Sequence, residues 1–562
     1  MQFRLICQNL LLCFLILQTS CRKQAPAESA SETVVPVPTS TPSCDALAGT
    51  SWVPSISGVS VANHDDSSVT VTKDIYTGSG LLTGLGQSYS ANSSHVITIS
   101  GIDVSTDLLL GGSATLVAQT TGFPSSLSDG AYPVLISLND GVNELVNVSG
   151  CTSGFYTCLS GNCNTPKVGC GPDPNGTGGS AFLGATAAER RSFWDQGQRI
   201  GTNDFLSVNT FPTCNWSSGT PSCSFNSSPG SFFAGSGKLR SGSGVTYTAK
   251  YVLLTSSYSS VGDSFSAGIK LTVVRKKDGN QGATNGATDL NVILVGTKNI
   301  TQSRTDKGKQ NLDALFTHVY NHYFTQNSST TGIKLGKINV IEWDCTNGGD
   351  SYATVDLSKA GQMFSTGSAL LPSSTETKAL NIFLVSSITY SGSGTILGLS
   401  GGIPGAMING TSSSGLVFSS LNKLGTYNPS CSSSGTCTIS SQEPAFIDMG
   451  STISHEMGHF MGLNHLSERD GSTHDKVPDT PQCTTLSGGH LTISSCRSES
   501  SCNNVCSSSQ YASGPYCSDK TECQFNHVMW WTSKNYNSSG QGDGNIFSTN
   551  SSSIINYSPY VQ

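Results

Sequence analysis

The chain has 562 residues, a formal net charge of −7 and only 12% charged side chains, against 62 Gly and 19 Cys. At roughly 150 residues per domain this is chain enough for several domains with cores of their own. The acidic balance argues against a general nucleic-acid binder, the long polar stretches exclude a polytopic membrane protein, and nineteen Cys point to an oxidising compartment.

At the N-terminus Arg4 precedes an apolar run over 10–17, followed by Gln18, Thr19, Ser20 and Cys21. Residues 1–21 read as a secretory signal peptide whose apolar part is too short to span a membrane. The small residues before Cys21 resemble a bacterial lipoprotein cleavage site, with Gln18 where Leu is usual. Lipidation of Cys21 and ordinary signal cleavage both stand as readings; a diacylated Cys21 would tether the chain to a membrane surface. Residues 22–43, rich in Pro, Ser, Thr and Ala, form a flexible linker.

From 44 to 150, alternating runs at 68–72, 95–100 and 132–137 lie between Gly, Ser, Asn and Asp, which predicts an all-β, sandwich-like domain. Residues 151–287 open rich in Cys and Gly and continue with strand-like runs at 245–254 and 268–274. The β-rich region before residue 288 would serve as a pro-region, a substrate-binding module, or both. Arg275, Lys276 and Lys277 precede a Gly- and Asn-rich stretch; they read either as the solvated end of a β-hairpin or as an exposed processing site.

The pattern changes from 288. Strand-like runs stand at 290–295, 337–342, 380–385 and 414–419. Between the first two, Leu312, Leu315, Phe316, Val319, Tyr320 and Tyr323 recur at helical spacing over 310–326. This predicts an α/β domain with a largely parallel sheet over 288–562. His318 and His322 on that helix are four apart, but no Glu or third ligand accompanies them, so they read as helix-face residues.

Setting aside Cys7, Cys13 and Cys21 leaves sixteen of the nineteen cysteines, an even number that can close fully into disulfides. Cys151, Cys158, Cys163 and Cys170 cluster, Cys214 and Cys223 form a close pair, and so do Cys431 and Cys437. The last group runs from Cys483 to Cys523. The clusters lack the repeated C-x-x-C of a zinc knuckle, which favours disulfides.

The chemistry is concentrated in His455-Glu456-Met457-Gly458-His459 and, after Gly462, His465. Two His four apart on a helix stack on one face and can share a metal ion. Glu456 can approach the open side of that ion. Gly462 can take positive φ, end the helix, and turn the chain so that His465 returns as a third ligand. Three His plus water is the open, catalytic kind of zinc site.

The spacing H-E-x-x-H-x-x-G-x-x-H over 455–465 resembles that of the metzincin zinc endopeptidases. Asp475, Val477, Asp479, Thr480 and Pro481, followed by Cys483, resemble the stretch after the zinc motif in the pappalysin-like family. Residues 523–531, with Met529, resemble that family's Met-turn. The resemblance covers about 288–562 and implies an upper subdomain with a five-stranded sheet and two helices, above an irregular, disulfide-linked lower subdomain. It places the active-site helix over about 450–461 and Met529 beneath the three His as a hydrophobic floor. Trp531 stands where the family commonly has Tyr. Some relatives hold calcium; Asp475 and Asp479 lie in the matching stretch, where a Ca²⁺ site and loop capping are equal readings.

The implied activity is that of a zinc endopeptidase, secreted or held at a bacterial surface, acting on protein or peptide substrates. Zinc would lower the pKa of its water toward about 7, with Glu456 as general base. The alternative is a non-catalytic adhesin that keeps a protease-like scaffold. Nucleic acid is not an expected partner, the membrane enters only through a lipid at Cys21, and the oligomeric state is open.

Overall fold

The computed structural model describes residues 47, 67–79, 82–83, 97–102, 113–121, 131–139, 141–142, 144–147, 205–208, 213–217, 220–224, 230–234, 244–255, 266–276, 286–325, 331–371, 379–389, 396–402, 405, 409–410, 414–419, 430–431, 437–438, 444–463, 465, 527–529, 547–556, 558 and 560–561. Among them no helix is long and apolar enough to cross a membrane.

Between residues 67 and 276 the regular elements described are all strands. One five-stranded sheet runs in the order 67–79, 266–276, 113–121, 230–234, 205–208. A second is built on 247–255, flanked by 82–83, 97–102 and 131–139, with 144–147 beyond the last. Both sheets join strands from either side of residue 150. Arg275 lies opposite Ser68 on one side and Ala114 on the other, and Lys276 opposite Ser67 and Ser113. A protease would have to pull both residues out of two ladders to bind them extended.

The second part of the chain is built on five strands: β1 (Ala287–Val295), β2 (Lys334–Trp343), β3 (Ala379–Val385), β4 (Gly398–Ser400) and β5 (Leu416–Ser419). Their order is β2-β1-β3-β5-β4, parallel except for β4, which is antiparallel to β5. Each expected strand is present, and β4 is an addition: three residues are too short to give a readable alternation. The inner strands β1 and β3 are almost wholly buried, as parallel strands covered on both faces must be.

The helices are α1 (Thr297–Ser303), α2 (Asp306–His318), α3 (Ala360–Ala369), α4 (Pro444–Phe460) and α5 (Thr549–Asn556). Thr305 caps α2 by accepting from the Gly308 amide at 3.0 Å. α2 runs on into a π-helical turn, Val319–Thr325. The reason lies in its apolar spacing. Leu312, Phe316, Tyr320 and Phe324 recur every four residues, which drifts around an α-helix of 3.6 residues per turn; a wider turn brings Tyr323 and Phe324 back to the core.

Alternation in β1 sends Leu290, Val292 and Leu294 into a core with α2, the π turn, α4 and α5. Ile293 and Val295 face the opposite core with Trp343, Met363 and Phe364. On that second face a row of amides fixes the register. Asn339 Nδ2 donates to Asn291 Oδ1 at 3.0 Å, Asn291 Nδ2 to Asn381 Oδ1 at 2.9 Å, and Asn381 Nδ2 to Asn409 Oδ1 at 2.7 Å. A slip of β1, β2 or β3 by one residue would break this row as well as invert both faces.

Arg304, just past α1, forms a bidentate pair with Glu342 of β2, at 2.7 and 2.6 Å. Its third donor reaches back to the Leu47 carbonyl at 2.9 Å, and Leu47 packs on the first core. Cys345, three residues beyond Glu342, is disulfide-bonded.

Candidate metal centre

α4 begins at Pro444, six residues before the expected start; Pro suits a first helical turn, where its missing amide costs nothing. The helix packs on α2, the π turn, β4 and β5. Ile453, Met457, Phe460 and Met461 face the core. His455 and His459, one turn apart, have their ring centroids 4.8 Å from each other.

The helix ends as the sequence demands. Gly462 has φ 108°, its amide donates to the His459 carbonyl, and the Leu463 amide donates to the Gly458 carbonyl, both at 2.9 Å. These two bonds make a Schellman cap with Gly462 at its left-handed position. The turn brings His465 back to the helix, its ring 5.1 Å from His455 and 4.8 Å from His459. One ligand atom from each of the three His lies within 4.8 Å of the others, and this is the one cluster among the described residues suited to hold a metal ion.

The rings are aimed by backbone carbonyls. His459 Nδ1 donates to the Leu463 carbonyl and His455 Nδ1 to the Val528 carbonyl, each at 2.6 Å. Each Nε2 is thereby left with its lone pair. His455 Nε2 and His465 Nε2 stand 3.1 Å apart. Two nitrogens on one tetrahedral zinc, each at about 2.0–2.1 Å, would be about 3.3 Å apart, so the spacing fits a shared ion. Burial first, and the charge of His465 second, push His459 well below the usual histidine range, while its bond to the Leu463 carbonyl works the other way. The neutral imidazole that a metal requires is the favoured form.

Glu456 follows the first ligand and is fully buried beside it. Met529 is fully buried under the helix, against Gly458: a Cβ on Gly458 would fall on the Met529 sulfur. Gly458 is therefore needed for close approach, not for an unusual φ. His318 and His322 stack with centroids 4.9 Å apart and planes 11° apart, and a Cβ at Gly450 of α4 would meet the His318 ring. His318 packs between α2 and α4, and His322 stacks on it from the π turn.

His527 is a residue that sequence reasoning missed. It is fully buried and sits two positions before Met529, with the N-terminus of α5 on its other side. No sequence motif marks it. Cys21, Asp475, Asp479, Trp531 and the cysteines from Cys483 to Cys523 lie outside the described residues.

Residues 437–524 match the family model of peptidase family M43, described as Pregnancy-associated plasma protein-A. The match contains all three His and Glu456 and supports a pappalysin-like metallopeptidase, a family that uses zinc. No curated protein matches the chain.

Proposed function

We propose that this chain is a zinc-dependent endopeptidase, exported by its signal segment and acting on extracellular proteins either free or tethered through a lipid at Cys21. The observation that carries the reading is the convergence of three imidazoles on one point, two of them fixed through Nδ1 to backbone carbonyls, with Glu456 next to the first.

When bound there, zinc supplies a Lewis acid that acidifies water and stabilises negative charge on a carbonyl oxygen. His455, His459 and His465 would hold it through their Nε2 atoms and, being neutral, would leave its positive charge undiminished. Glu456 takes the proton that water gives up and passes it to the amine of the broken peptide bond. Its burial keeps bulk water from competing for that proton. β4 is the outer strand of the sheet, lies against α4 and, among the described residues, pairs only with β5. Its outer edge would take an extended polypeptide as one more strand, which favours a protein substrate over a small molecule. A calcium ion at Asp475 and Asp479 belongs to the same proposal.

The test is a chelator-sensitive cleavage assay on casein or gelatin with the wild type and Glu456→Ala. The expected result is cleavage by the wild type, loss on chelation, and a variant that binds one zinc but cleaves at least about 100-fold more slowly. A variant that cleaves as well as the wild type would refute the role of Glu456. A wild type that binds zinc and cleaves no protein would favour the adhesin.

A further inference from the structure

The peptide unit between Val528 and Met529 is held at both ends. Its carbonyl accepts from His455 Nδ1 at 2.6 Å, and its amide donates to His527 Nδ1 at 3.1 Å. The two histidines therefore address opposite sides of a single peptide plane, and His455 is one of the three proposed ligands.

The far edge of His527 is fixed as well. Its Nε2 faces the Ser548 amide at 3.1 Å and Ser551 Oγ at 3.5 Å, of which only the hydroxyl oxygen can accept from it, and its ring meets Phe547 edge-on at 5.9 Å. Ser548 caps α5: its Oγ accepts from the Ser551 amide at 3.0 Å and pairs with Ser551 Oγ at 2.8 Å. α5 is in turn anchored through Asn556 Nδ2, which donates to the Thr331 carbonyl at 3.0 Å, and through Ile555 in the core that holds Met457 and Met529.

We infer that His527 is the positioning residue of the metal centre, coupling the C-terminal helix α5 to ligand His455 through the 528–529 peptide. The inference rests on the reading of the three His as a metal site. Its physical basis is threefold. Both ring nitrogens face a backbone amide and a neutral imidazole accepts at only one of them; Ser551 Oγ gives Nε2 an oxygen to donate to, which leaves Nδ1 to accept from Met529. Donation from the Met529 amide polarises the peptide and makes the Val528 carbonyl a stronger acceptor for His455. A fixed carbonyl holds the His455 ring so that Nε2, and not Nδ1, faces the ion. His527 touches neither metal nor substrate.

Three variants separate positioning from bulk. His527→Asn keeps an oxygen near the Nδ1 position; His527→Gln keeps a polar group only toward α5; His527→Leu keeps volume alone. The readouts are zinc affinity by chelator competition, the visible spectrum of the cobalt-substituted protein, and kcat and KM separately. His527→Asn should hold zinc within about threefold of the wild type with an unchanged cobalt spectrum. His527→Gln and His527→Leu should lose about 10- to 100-fold in zinc affinity, alter the cobalt bands, and lower kcat with KM within about twofold. Equal behaviour of Asn and Leu, or folded Gln and Leu variants with wild-type affinity and spectrum, overturns the inference. If Gln and Leu do not fold, ¹⁵N resonances of His527 in the wild type decide: Nδ1 should be unprotonated with and without zinc, and a protonated Nδ1 overturns it. A wild type that binds no zinc refutes the metal-site reading itself, a distinct result.

Discussion

Gly458→Ala tests the floor of the site. A Cβ there would overlap the Met529 sulfur and stand 3.4 Å from Met529 Cε and 3.7 Å from Leu463 Cδ1. Met529 is fully buried, so the sulfur has no solvent to swing into. Overpacking of this kind costs about 1–3 kcal/mol. Against it, Ala is favoured over Gly in a helix interior by about 0.8–1 kcal/mol. The net expectation is a loss of about 0–2 kcal/mol, or up to roughly 8 °C in melting temperature for a unit of this size. Met529→Ala removes the obstructing sulfur at its own cavity cost of about 2–5 kcal/mol. In that background Gly458→Ala should become stabilising by up to about 1 kcal/mol, because only the helix term is left. The measurement is thermal unfolding of zinc-saturated protein, with Glu456→Ala throughout to prevent self-cleavage. The sign change is the readout. If Gly458→Ala raises the melting temperature of the Met529 protein, or shifts both backgrounds alike, the contact between helix and Met-turn is not what the geometry implies.

Zinc retention should fall with acid in a defined direction. His459 has its pKa lowered by burial, so below about pH 6.5 the unfolded chain binds the proton more tightly than the folded one. The stability from this residue is complete above that pH and is lost as pH falls toward the folded value; protons also compete with the metal. Titration against a zinc indicator should show retention through the ordinary histidine range and release only at more acid pH, and release already complete near neutral pH would contradict it. The cysteines give a covalent prediction. Cys214 faces Cys223, and Cys431 faces Cys437, across antiparallel two-stranded ribbons, so mapping by mass spectrometry should recover both pairs. Of the remaining cysteines, Cys44 lies three residues before Leu47, which Arg304 holds beside the strand leading to disulfide-bonded Cys345. A Cys44–Cys345 peptide is expected, and Cys345 linked to any other cysteine would refute this placement.

The parts of the structure that were legible in sequence are those written in local spacing. The clustering of His455, His459 and His465, the glycine turn at Gly462, the apolar stripe of α2 and the buried runs of β1 and β3 were legible because each is fixed by neighbours within a few residues. What was not legible depends on pairing at long range. Strands at 67–79 and 266–276 are partners across nearly two hundred residues, and alternation says that a strand exists without saying whom it pairs with. The π turn is a subtler case: four-residue spacing over 312–324 was visible, but only packing decides that the helix widens rather than drifts.

The same division runs through the metal centre. Its three proposed ligands are side chains and announce themselves. The groups that orient those ligands are the Leu463 and Val528 carbonyls, which every residue type possesses and no motif records. Yet each carbonyl is set by a residue that the sequence does show. Gly462 turns the helix end so that the Leu463 carbonyl meets His459. His527 holds the peptide whose carbonyl meets His455. The first of these lies inside the motif and was readable as chemistry. The second lies 72 residues beyond His455 and is readable only from the packing of Met529 against Gly458 of α4. Substitutions at Gly462 and His527 should therefore act on metal binding in the same sense although neither residue carries a ligand atom.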